Sequence, residues 1–334
     1  MGSFADEFGH KFRGLKVVVT GATGFIGTNL CRALASLGAC VTGVSLSGKG
    51  RGMHEGISYN ALDLRRLDDV KAFLGRHRPS LIVHLAGRTL ARREREMVLP
   101  TFEANAIGTV HLLLAAAEVS CDRFLLIGSS EAEGADRDNG VSSPYAASKH
   151  VAEIYGRMFH RLYGLPVIHL RTFLTFGPWQ EPPKLIPYVI EQFLRGEAPV
   201  LTSGGRRCDV VYVEDVVRGL LKAAVAPAAA LGSCIDLGSG MGVTIRELVM
   251  QVASVIGPVA DPVFGGLPDR PYEHEAVADL EPAASLLGWR PQWPLEEALR
   301  STVAWHRQRL GLSDPLQRSS SLNSQSQHIQ AKEL

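Results

Sequence analysis

The sequence of 334 residues lacks a strong excess of charge of either sign, and its formal net charge at pH 7 is only +1. Proteins that bind nucleic acid or anionic membrane surfaces usually carry a clear basic excess, so we expect neither partner. Apolar runs approaching the roughly 20 residues that span a bilayer are also missing. The N-terminal segment MGSFADEFGHKFRG is acidic in part and has no apolar signal-peptide core. These absences favour a cytoplasmic protein.

Paired cysteines are missing as well. The five cysteines are scattered, with no C-x-x-C pair and no nearby histidine cluster, and they are Cys31, Cys40, Cys121, Cys208 and Cys234. An odd, scattered set argues against a disulfide framework and against a metal site. We expect small, mostly buried side chains in a reducing compartment.

What the sequence does contain is an alternation of short apolar runs with helical patterns over its first half. The runs lack the two-residue alternation of half-exposed strands, as expected for strands buried on both faces. They are LKVVVT (15–20), CVTGVS (40–45), LIVHLA (81–86), RFLLIG (123–128) and PVIHLR (166–171). Strand–helix–strand alternation predicts an α/β fold with a doubly wound parallel sheet of the Rossmann type.

The second half of the chain has a different pattern. It is rich in proline, and its strands and helices are interleaved without a large core of their own. We expect a dinucleotide-binding domain at 14–175, to which parts of 205–240 return, and a mainly substrate-binding lobe at 176–311. The Ser- and Gln-rich residues 312–334 predict a disordered tail.

The segment TGATGFIG places Gly21, Gly24 and Gly27 directly after the first strand and at the start of a helix. Glycines in that context allow a tight turn and close approach of the backbone to a pyrophosphate, which the helix N-terminus then binds. We therefore predict a site for NAD(H) or NADP(H).

The end of the second strand bears on the choice between the two cofactors. An acidic residue there favours NAD, but Ser45 occupies the position, and Lys49 and Arg51 follow. A neutral acceptor near two cations favours the 2′-phosphate of NADP(H). Asp63 is a candidate acceptor for the adenine amino group, and a helix-cap role is nearly as well supported.

Residues 128–150, GSSEAEGADRDNGVSSPYAASKH, carry the candidate catalytic groups. Tyr145 and Lys149 are four residues apart, which places both on one face of a helix that Pro144 can begin. A neighbouring ammonium favours the phenolate form of a tyrosine, so this pair can exchange a proton with a substrate. Ser129, after a buried strand, is placed to bind the same substrate oxygen, and Asn105 to order the helix near the site.

Taken together, TGATGFIG, HLAG, NAIGT, GSS, YAASK and YVEDVV resemble the extended short-chain dehydrogenase/reductase family over about residues 14–310. The subgroups most similar in motif are the GDP-4-keto-6-deoxymannose reductases and the GDP-mannose 4,6-dehydratases. The resemblance implies an enzyme that acts on nucleotide-activated sugars, with Ser129, Tyr145 and Lys149 as its catalytic trio.

The resemblance also implies the remaining contacts. The cofactor would lie against Gly21, Thr23, Gly24, Phe25, Ile26, Ser45, Lys49, Arg51, Asp63, Leu64, Leu85, Ala86, Tyr145 and Lys149. The substrate would lie against Arg88, Ser130, Lys184, Arg207 and Arg270, whose basic members suit a diphosphate. Cys208 stands where relatives usually have an arginine, which leaves the nucleotide base open.

Several reactions fit these residues. A 4-ketoreductase acting on a nucleotide 4-keto-6-deoxyhexose needs only the trio and NADPH, with Tyr145 as proton donor, and it is the favoured reading. A 4,6-dehydratase needs in addition an acid and a base, for which Glu131 is the candidate; Ser130 replaces the aspartate that dTDP-type dehydratases use as the acid. A 4-epimerase or a decarboxylase is also open, as is a non-enzymatic NADP(H)-sensing protein, although the retained Tyr145 and Lys149 argue against the last.

Helical segments at about 97–119 and 144–163 are apolar on more than one face. Relatives often pair such helices, so the resemblance implies a homodimer.

Overall fold

The structure is a computed structural model that describes residues 4–50, 52–132, 141–273 and 275–312. The tail predicted for 312–334 therefore lies almost wholly outside the described residues, and so does Arg51.

Ten strands and eleven α-helices are present in these ranges. The strands are β1 (Lys16–Thr20), β2 (Cys40–Ser45), β3 (Ser58–Ala61), β4 (Leu81–His84), β5 (Arg123–Ser129), β6 (Val167–Thr172), β7 (Leu174–Phe176), β8 (Arg207–Tyr212), β9 (Cys234–Leu237) and β10 (Gly242–Thr244). The helices are α1 (Phe4–Phe8), α2 (Phe25–Ser36), α3 (Leu67–His77), α4 (Val98–Phe102), α5 (Gly108–Val119), α6 (Pro144–Tyr163), α7 (Leu185–Leu194), α8 (Val213–Ala224), α9 (Ile245–Ile256), α10 (Glu281–Leu287) and α11 (Leu295–Arg309).

The main sheet has seven strands in the order β3-β2-β1-β4-β5-β6-β9, and every neighbouring pair is parallel. The predicted doubly wound parallel sheet is thereby confirmed. The strand order reverses between β1 and β4, and in such sheets ligands bind in the crevice beyond the carboxyl ends of the strands at that point.

The sheet is covered on both faces. In β1, Val17 and Val19 belong to one apolar cluster and Val18 to the cluster on the opposite face. Each of these valines is at most 1% exposed. This burial explains why the strands appear in the sequence as continuous apolar runs.

The C-terminal part of the chain contributes to both the main sheet and a smaller one. β9 pairs with β6 at the edge of the main sheet, while β7, β8 and β10 form a three-stranded sheet in which β8 is central. The sequence runs did not single out β3, because its residues SYNA are only partly buried and polar in part. They also missed β9, an edge strand whose four residues CIDL include the polar Asp236.

The helix α6 begins and ends at sequence signals. Ser143 caps its N-terminus, accepting a hydrogen bond from the backbone N–H of Ala146 at 3.1 Å, and Pro144 is its first residue, as predicted. Gly164 follows its last residue with a φ of +68°.

One helical stretch, Arg95–Val119, is long and apolar enough to cross a membrane by length and composition alone, and 39% of its most apolar window is buried in the fold. The sequence pattern did not single it out because Glu103 and Asn105 interrupt its apolar residues. Its C-terminal part, α5, packs Leu112 and Leu113 into the core against the sheet. The α5 part of this stretch is therefore a core helix, and a cytoplasmic location stays a prediction.

Candidate active site

A cleft of ≈ 1900 Å³ opens at the carboxyl ends of the main-sheet strands. Ser129 is the last residue of β5, and Tyr145 and Lys149 lie one turn apart on α6. All three line the cleft, together with the glycine turn. The strand end and the helix face thus meet at one place, although Ser129 and Tyr145 are separated in sequence by a segment that includes residues outside the described ranges.

Tyr145 is buried, and its surroundings hold the phenol in its protonated form. Burial, reinforced by the negative charge of Glu131, raises the pKa of Tyr145 to about 12, against the lowering effect of a hydrogen bond with Ser129. The sequence had suggested that Lys149 would favour the phenolate. In the structure burial and Glu131 outweigh any such effect, so Tyr145 is poised as a proton donor.

Lys149 lies within the protein with its ammonium group fixed. Its Nζ donates a hydrogen bond of 2.8 Å to the backbone carbonyl of Ile127, in the strand that ends at Ser129. Burial lowers its pKa from 10.5 to about 8. The positive charge is therefore held beside the tyrosine at some cost to the fold, which is typical of a functional lysine.

Glu131 lines the cleft, and its side chain is exposed there. Desolvation raises its pKa, opposed mainly by the positive charges of Lys184 and Arg206. Its backbone N–H donates to Ser129 Oγ at 3.2 Å, which ties the glutamate to the catalytic serine. Ser130 lies beside it in the cleft lining. Glu131 is therefore a cleft-lining carboxyl group whose charge acts on Tyr145.

Asn105 orders this region, as the sequence suggested. It lies in a π-helical turn at Glu103–Ile107, between α4 and α5, and is buried. Its amide accepts from the backbone N–H of Arg88 at 2.7 Å and donates to Ser148 Oγ at 2.9 Å. Ser148 precedes Lys149, so Asn105 joins the loop after β4 to the catalytic helix.

The glycine turn packs so closely against its surroundings that two of its glycines have no room for a side chain. A Cβ added to Gly21, which has a φ of +71°, would lie 2.7 Å from the backbone N of Ala86. One added to Gly27 would lie 2.1 Å from the carbonyl oxygen of Gly21. Gly24 caps α2 without a side-chain hydrogen bond, which leaves the backbone N–H groups of the first turn facing the cleft. The turn therefore fits a dinucleotide pyrophosphate.

The predicted cofactor residues fall into two groups. The cleft lining includes Gly21, Thr23, Gly24, Phe25, Ile26, Leu85 and Ala86. Four others are not part of that lining, namely Ser45, Lys49, Asp63 and Leu64.

Ser45 ends β2, where its hydroxyl accepts from the backbone N–H of Gly48 at 3.1 Å, and Lys49 is exposed in the following loop. The carboxylate of Asp63 accepts from the Arg65 guanidinium at 2.6 Å, and this pairing lowers its pKa. The side chain of Leu64 is buried in the core. Asp63 thus stabilises the turn before α3; the N-cap of that helix is Arg66, so the helix-cap role that the sequence left open is not observed.

The far end of the cleft is lined by basic side chains. Lys184 donates from its Nζ to the carbonyl of Thr89 at 2.7 Å. Arg206 pairs with Glu273 at 3.0 Å, and Arg270 lies 3.7 Å from the same carboxylate. Arg207, which the sequence had pointed to, also lines the cleft, and its guanidinium donates to the carbonyl of Gly242. Arg206, which directly precedes β8, was not in the predicted set; its charge lowers the pKa of Glu131, and its pairing with Glu273 joins residues far apart in sequence.

Arg88, predicted to contact substrate, is exposed and is not part of the cleft lining. Its backbone binds the Asn105 side chain from both sides, through Arg88 N–H and Arg88 carbonyl. The structure thus gives the backbone of Arg88, rather than its side chain, a defined contact.

A buried polar group away from the cleft was not visible in the sequence. His169 Nδ1 lies 2.9 Å from Cys234 Sγ and 3.5 Å from the carboxylate of Glu153. These donor atoms lie within 4.8 Å of one another, as metal ligands do. However, Glu153 is already paired with Arg157, and burial lowers the pKa of His169 to about 3. We assign no metal to this group.

The profile of the NAD dependent epimerase/dehydratase family matches residues 17–237. A UDP-glucose 4-epimerase from Mycolicibacterium smegmatis is 30% identical over 315 residues, which cover 88% of this chain and 99% of the relative. A dTDP-glucose 4,6-dehydratase from Actinoplanes sp. is 29% identical over 88% of this chain and 98% of the relative. The crystal structure of a UDP-glucose 4-epimerase from Thermotoga maritima with UDP-glucose superposes with a TM-score of 0.82, at 26% identity, over 88% of this chain and 99% of that one.

Proposed function

The chain belongs to the NAD dependent epimerase/dehydratase family, and from this premise we propose that it interconverts nucleotide-diphosphate sugars that differ in configuration at C4. One observation carries the proposal. Ser129, Tyr145 and Lys149 converge in a cleft that has a dinucleotide turn at one end and basic side chains at the other. A sugar held between those ends would present its C4 hydroxyl to the trio.

The residues of the chain supply the proton chemistry. Tyr145 would take the proton of the C4 hydroxyl during oxidation and return it during reduction, so one side chain serves both directions. The glycine turn would hold NAD(P), which would supply reversible hydride transfer at C4. The positive charge that an oxidised cofactor would supply favours loss of the Tyr145 proton and would offset the burial that raises the pKa of Tyr145.

Ser129 and Lys149 would assist this transfer in different ways. The Ser129 hydroxyl would hold the C4 oxygen within reach of Tyr145, since the serine already binds the tyrosine. The ammonium of Lys149, fixed by the carbonyl of Ile127, would stabilise negative charge on the phenolate while it forms.

The basic end of the cleft supports a diphosphate. Lys184, Arg206 and Arg270 line it, and two guanidinium groups can bind phosphate oxygens in pairs. Glu273, which pairs with Arg206, would be displaced or would turn toward a sugar hydroxyl when the diphosphate enters. This arrangement favours nucleotide sugars over free sugars.

The family is NAD-dependent, and the preference for NADP(H) belongs to this proposal. The support is that β2 ends in neutral Ser45 and that the exposed Lys49 follows in the same loop. Calorimetric titration with NAD and NADP measures the preference, and tighter binding of NAD would overturn it.

A second candidate reaction, 4,6-dehydration, is supported by Glu131. Its charge acts on Tyr145, and desolvation raises the pKa of Glu131 as a general acid requires. The weaker point is Ser130, which offers no second carboxyl group for the two proton transfers at C5 and C6. The 4-ketoreductase that the sequence favoured stays a prediction, because the relatives described above are epimerases and dehydratases.

A single assay separates these reactions. Purified protein is incubated with UDP-glucose, dTDP-glucose, UDP-glucuronate, GDP-mannose and a nucleotide 4-keto-6-deoxy sugar, with and without NADPH. Formation of a C4 epimer without net use of NADPH supports the proposal. Stoichiometric loss of NADPH absorbance with the keto sugar would establish the ketoreductase instead, and loss of water from the sugar would establish the dehydratase.

A further inference from the structure

A buried chain of side-chain hydrogen bonds runs beneath the cleft from the glycine turn to α5. Thr20, at the end of β1, lies with its Oγ1 2.7 Å from Nδ1 of His84 at the end of β4. His84 Nε2 lies 2.8 Å from Oγ1 of Thr109 on α5. Each of the three side chains is at most 2% exposed. None of them lines the cleft, so the reaction chemistry described above does not use them.

The hydrogen bonds at the two ends of this series fix which atom donates in each of its bonds. Thr109 Oγ1 donates its one proton to the carbonyl of Asn105, so it can only accept from His84. His84 Nε2 therefore carries a proton. At the other end Thr20 Oγ1 accepts from the backbone N–H of Ala86 at 3.2 Å and has its own proton free for Nδ1. The geometry thus requires the Nε2–H tautomer of a neutral imidazole.

The environment agrees with a neutral ring. Burial, with a smaller effect from the charge of Lys149, lowers the pKa of His84 to about 3. The imidazole therefore stays uncharged over the whole range in which an enzyme of this kind operates, and its role is not that of an acid or base.

This series of hydrogen bonds ends at the turn that carries Asn105. Residues Glu103–Ile107 form a π-helical turn, and such turns often mark functional sites. The Asn105 side chain makes three hydrogen bonds, two with the backbone of Arg88 and one to Ser148 Oγ. Ser148 in turn donates to the carbonyl of Tyr145 at 2.8 Å. The hydrogen bonds that start at His84 therefore reach the backbone of Tyr145 through Ser148, the residue directly before Lys149.

We propose that His84 is a positioning residue, which holds the π-turn of Asn105 through Thr109 and so sets the placement of Tyr145 and Lys149 on α6. The rate measurement below rests on the proposed function, but the tautomer of His84 does not.

Two variants interrupt this series of hydrogen bonds at different points. Thr109→Val keeps the shape of the side chain and removes both of its hydrogen bonds, and His84→Leu removes the imidazole. We expect each to lower kcat roughly 10- to 100-fold with little change in KM, because a misplaced proton donor affects the reaction more than ground-state binding. The apparent pKa in the pH profile of kcat should shift as well. His84→Gln, whose amide can both donate and accept, should restore part of the rate.

The matched control is Thr302→Val on α11. Thr302 is equally buried, and its hydroxyl donates to the carbonyl four residues earlier, as that of Thr109 does. It should lose stability to a similar extent but keep the pH profile of the unaltered protein. If Thr109→Val and His84→Leu change only stability, as the control does, the inference is overturned.

The tautomer is tested without turnover, by NMR of protein labelled with ¹⁵N-histidine, in which His84→Gln assigns the signal. We expect a neutral Nε2–H ring from pH 6 to pH 9. An Nδ1–H tautomer or a titrating ring in that range would overturn the inference. A protein that turns over none of the sugars would instead refute the proposed function, and the ¹⁵N signals would still decide on His84.

Discussion

At the scale of the single residue, burial of the Lys149 ammonium group in the candidate site lowers the free energy of unfolding. A pKa lowered from 10.5 to about 8 corresponds to about 3 kcal/mol of cost for holding the charge inside the protein. Replacement by methionine removes that cost and loses the hydrogen bond to Ile127, worth about 1 kcal/mol. We therefore expect Lys149→Met to be inactive yet about 2 kcal/mol more stable than the unaltered protein at pH 7, measured by urea denaturation.

The pH dependence of that gain has a definite sign. Below pH 8 the lysine is charged in both the folded and the unfolded chain, so the full cost applies. Between about pH 8 and 10.5 the unfolded chain binds more protons than the folded one, so the unaltered protein gains stability as the pH rises and the advantage of the variant shrinks. Lys71→Met, at a partly exposed lysine paired with Glu118, is the control and should show no such trend. A destabilised Lys149→Met at pH 7 would refute the interpretation.

Glu131 separates the two candidate reactions at the same scale. For an epimerase, Glu131→Gln should keep the rate within about tenfold, whereas loss of a general acid or base costs roughly 10²- to 10⁴-fold. Because Glu131 raises the pKa of Tyr145, its removal should also move the alkaline limb of the rate to lower pH. Steady-state rates from pH 6 to 10 measure both effects. Glu181→Gln, at another cleft-lining carboxylate, should leave that limb in place.

Single residues also mark the limit of prediction from sequence. The positions of Ser129, Tyr145 and Lys149 followed from a strand end and a four-residue helical spacing, both of which are local properties. Pairings across the fold were not available in this way. Arg206 meets Glu273, and Cys234 meets His169, over separations of more than 60 residues that only the folded chain brings together.

At the scale of the element, the turn between β1 and α2 is the one most constrained by backbone geometry. Gly27→Ala would push a methyl group to within 2.1 Å of the Gly21 carbonyl oxygen, and the turn must distort to admit it. We expect a loss of about 3 kcal/mol or more in unfolding free energy, together with loss of NAD(P) binding by calorimetry.

The matched variant is Gly75→Ala in α3. Nothing lies within 4 Å of a Cβ added there, and the residue is exposed within a helix. This variant should gain about 0.5 to 1 kcal/mol and bind the cofactor normally. Equal behaviour of the two alanine variants would contradict the assignment of the turn.

Elements that bury both faces were the most predictable from sequence. β2 lies at the predicted residues, and β1, β4, β5 and β6 lie within two residues of the predicted ends, because their apolar runs reflect burial on both sides. β3 and β9 were not in the predicted set, because strands at the sheet edges need less apolar sequence. The π-helical turn at Glu103–Ile107 had no signal of its own in the sequence, since its conformation depends on the Thr109 and Asn105 contacts.

At the scale of the whole molecule, the helices α4 and α6 touch and carry exposed apolar side chains. Leu99 on α4 and Leu162 on α6 are 62% and 64% exposed, and Ile154 on α6 is 52% exposed. Such patches mark interaction sites in soluble proteins. We expect a homodimer by sedimentation equilibrium and a monomer for Ile154→Glu, because a charge buried in an apolar interface is strongly unfavourable.

The control for this experiment is Met250→Glu on α9. Met250 is 50% exposed, but it lies on a different helix from the predicted interface. The charge there should leave the dimer intact. A protein that is monomeric before any substitution would contradict the prediction.

The most direct test of the whole account follows the hydrogen at C4. A nucleotide sugar deuterated at C4, chosen from those the protein converts, is incubated with the purified protein, and NMR locates the deuterium in the product. We expect deuterium at C4 of both epimers with the unaltered protein, and no second epimer with Tyr145→Phe, because that variant does not react. Deuterium at C6 of a dehydrated sugar, or its appearance in an added pool of NAD(P)H, would contradict it.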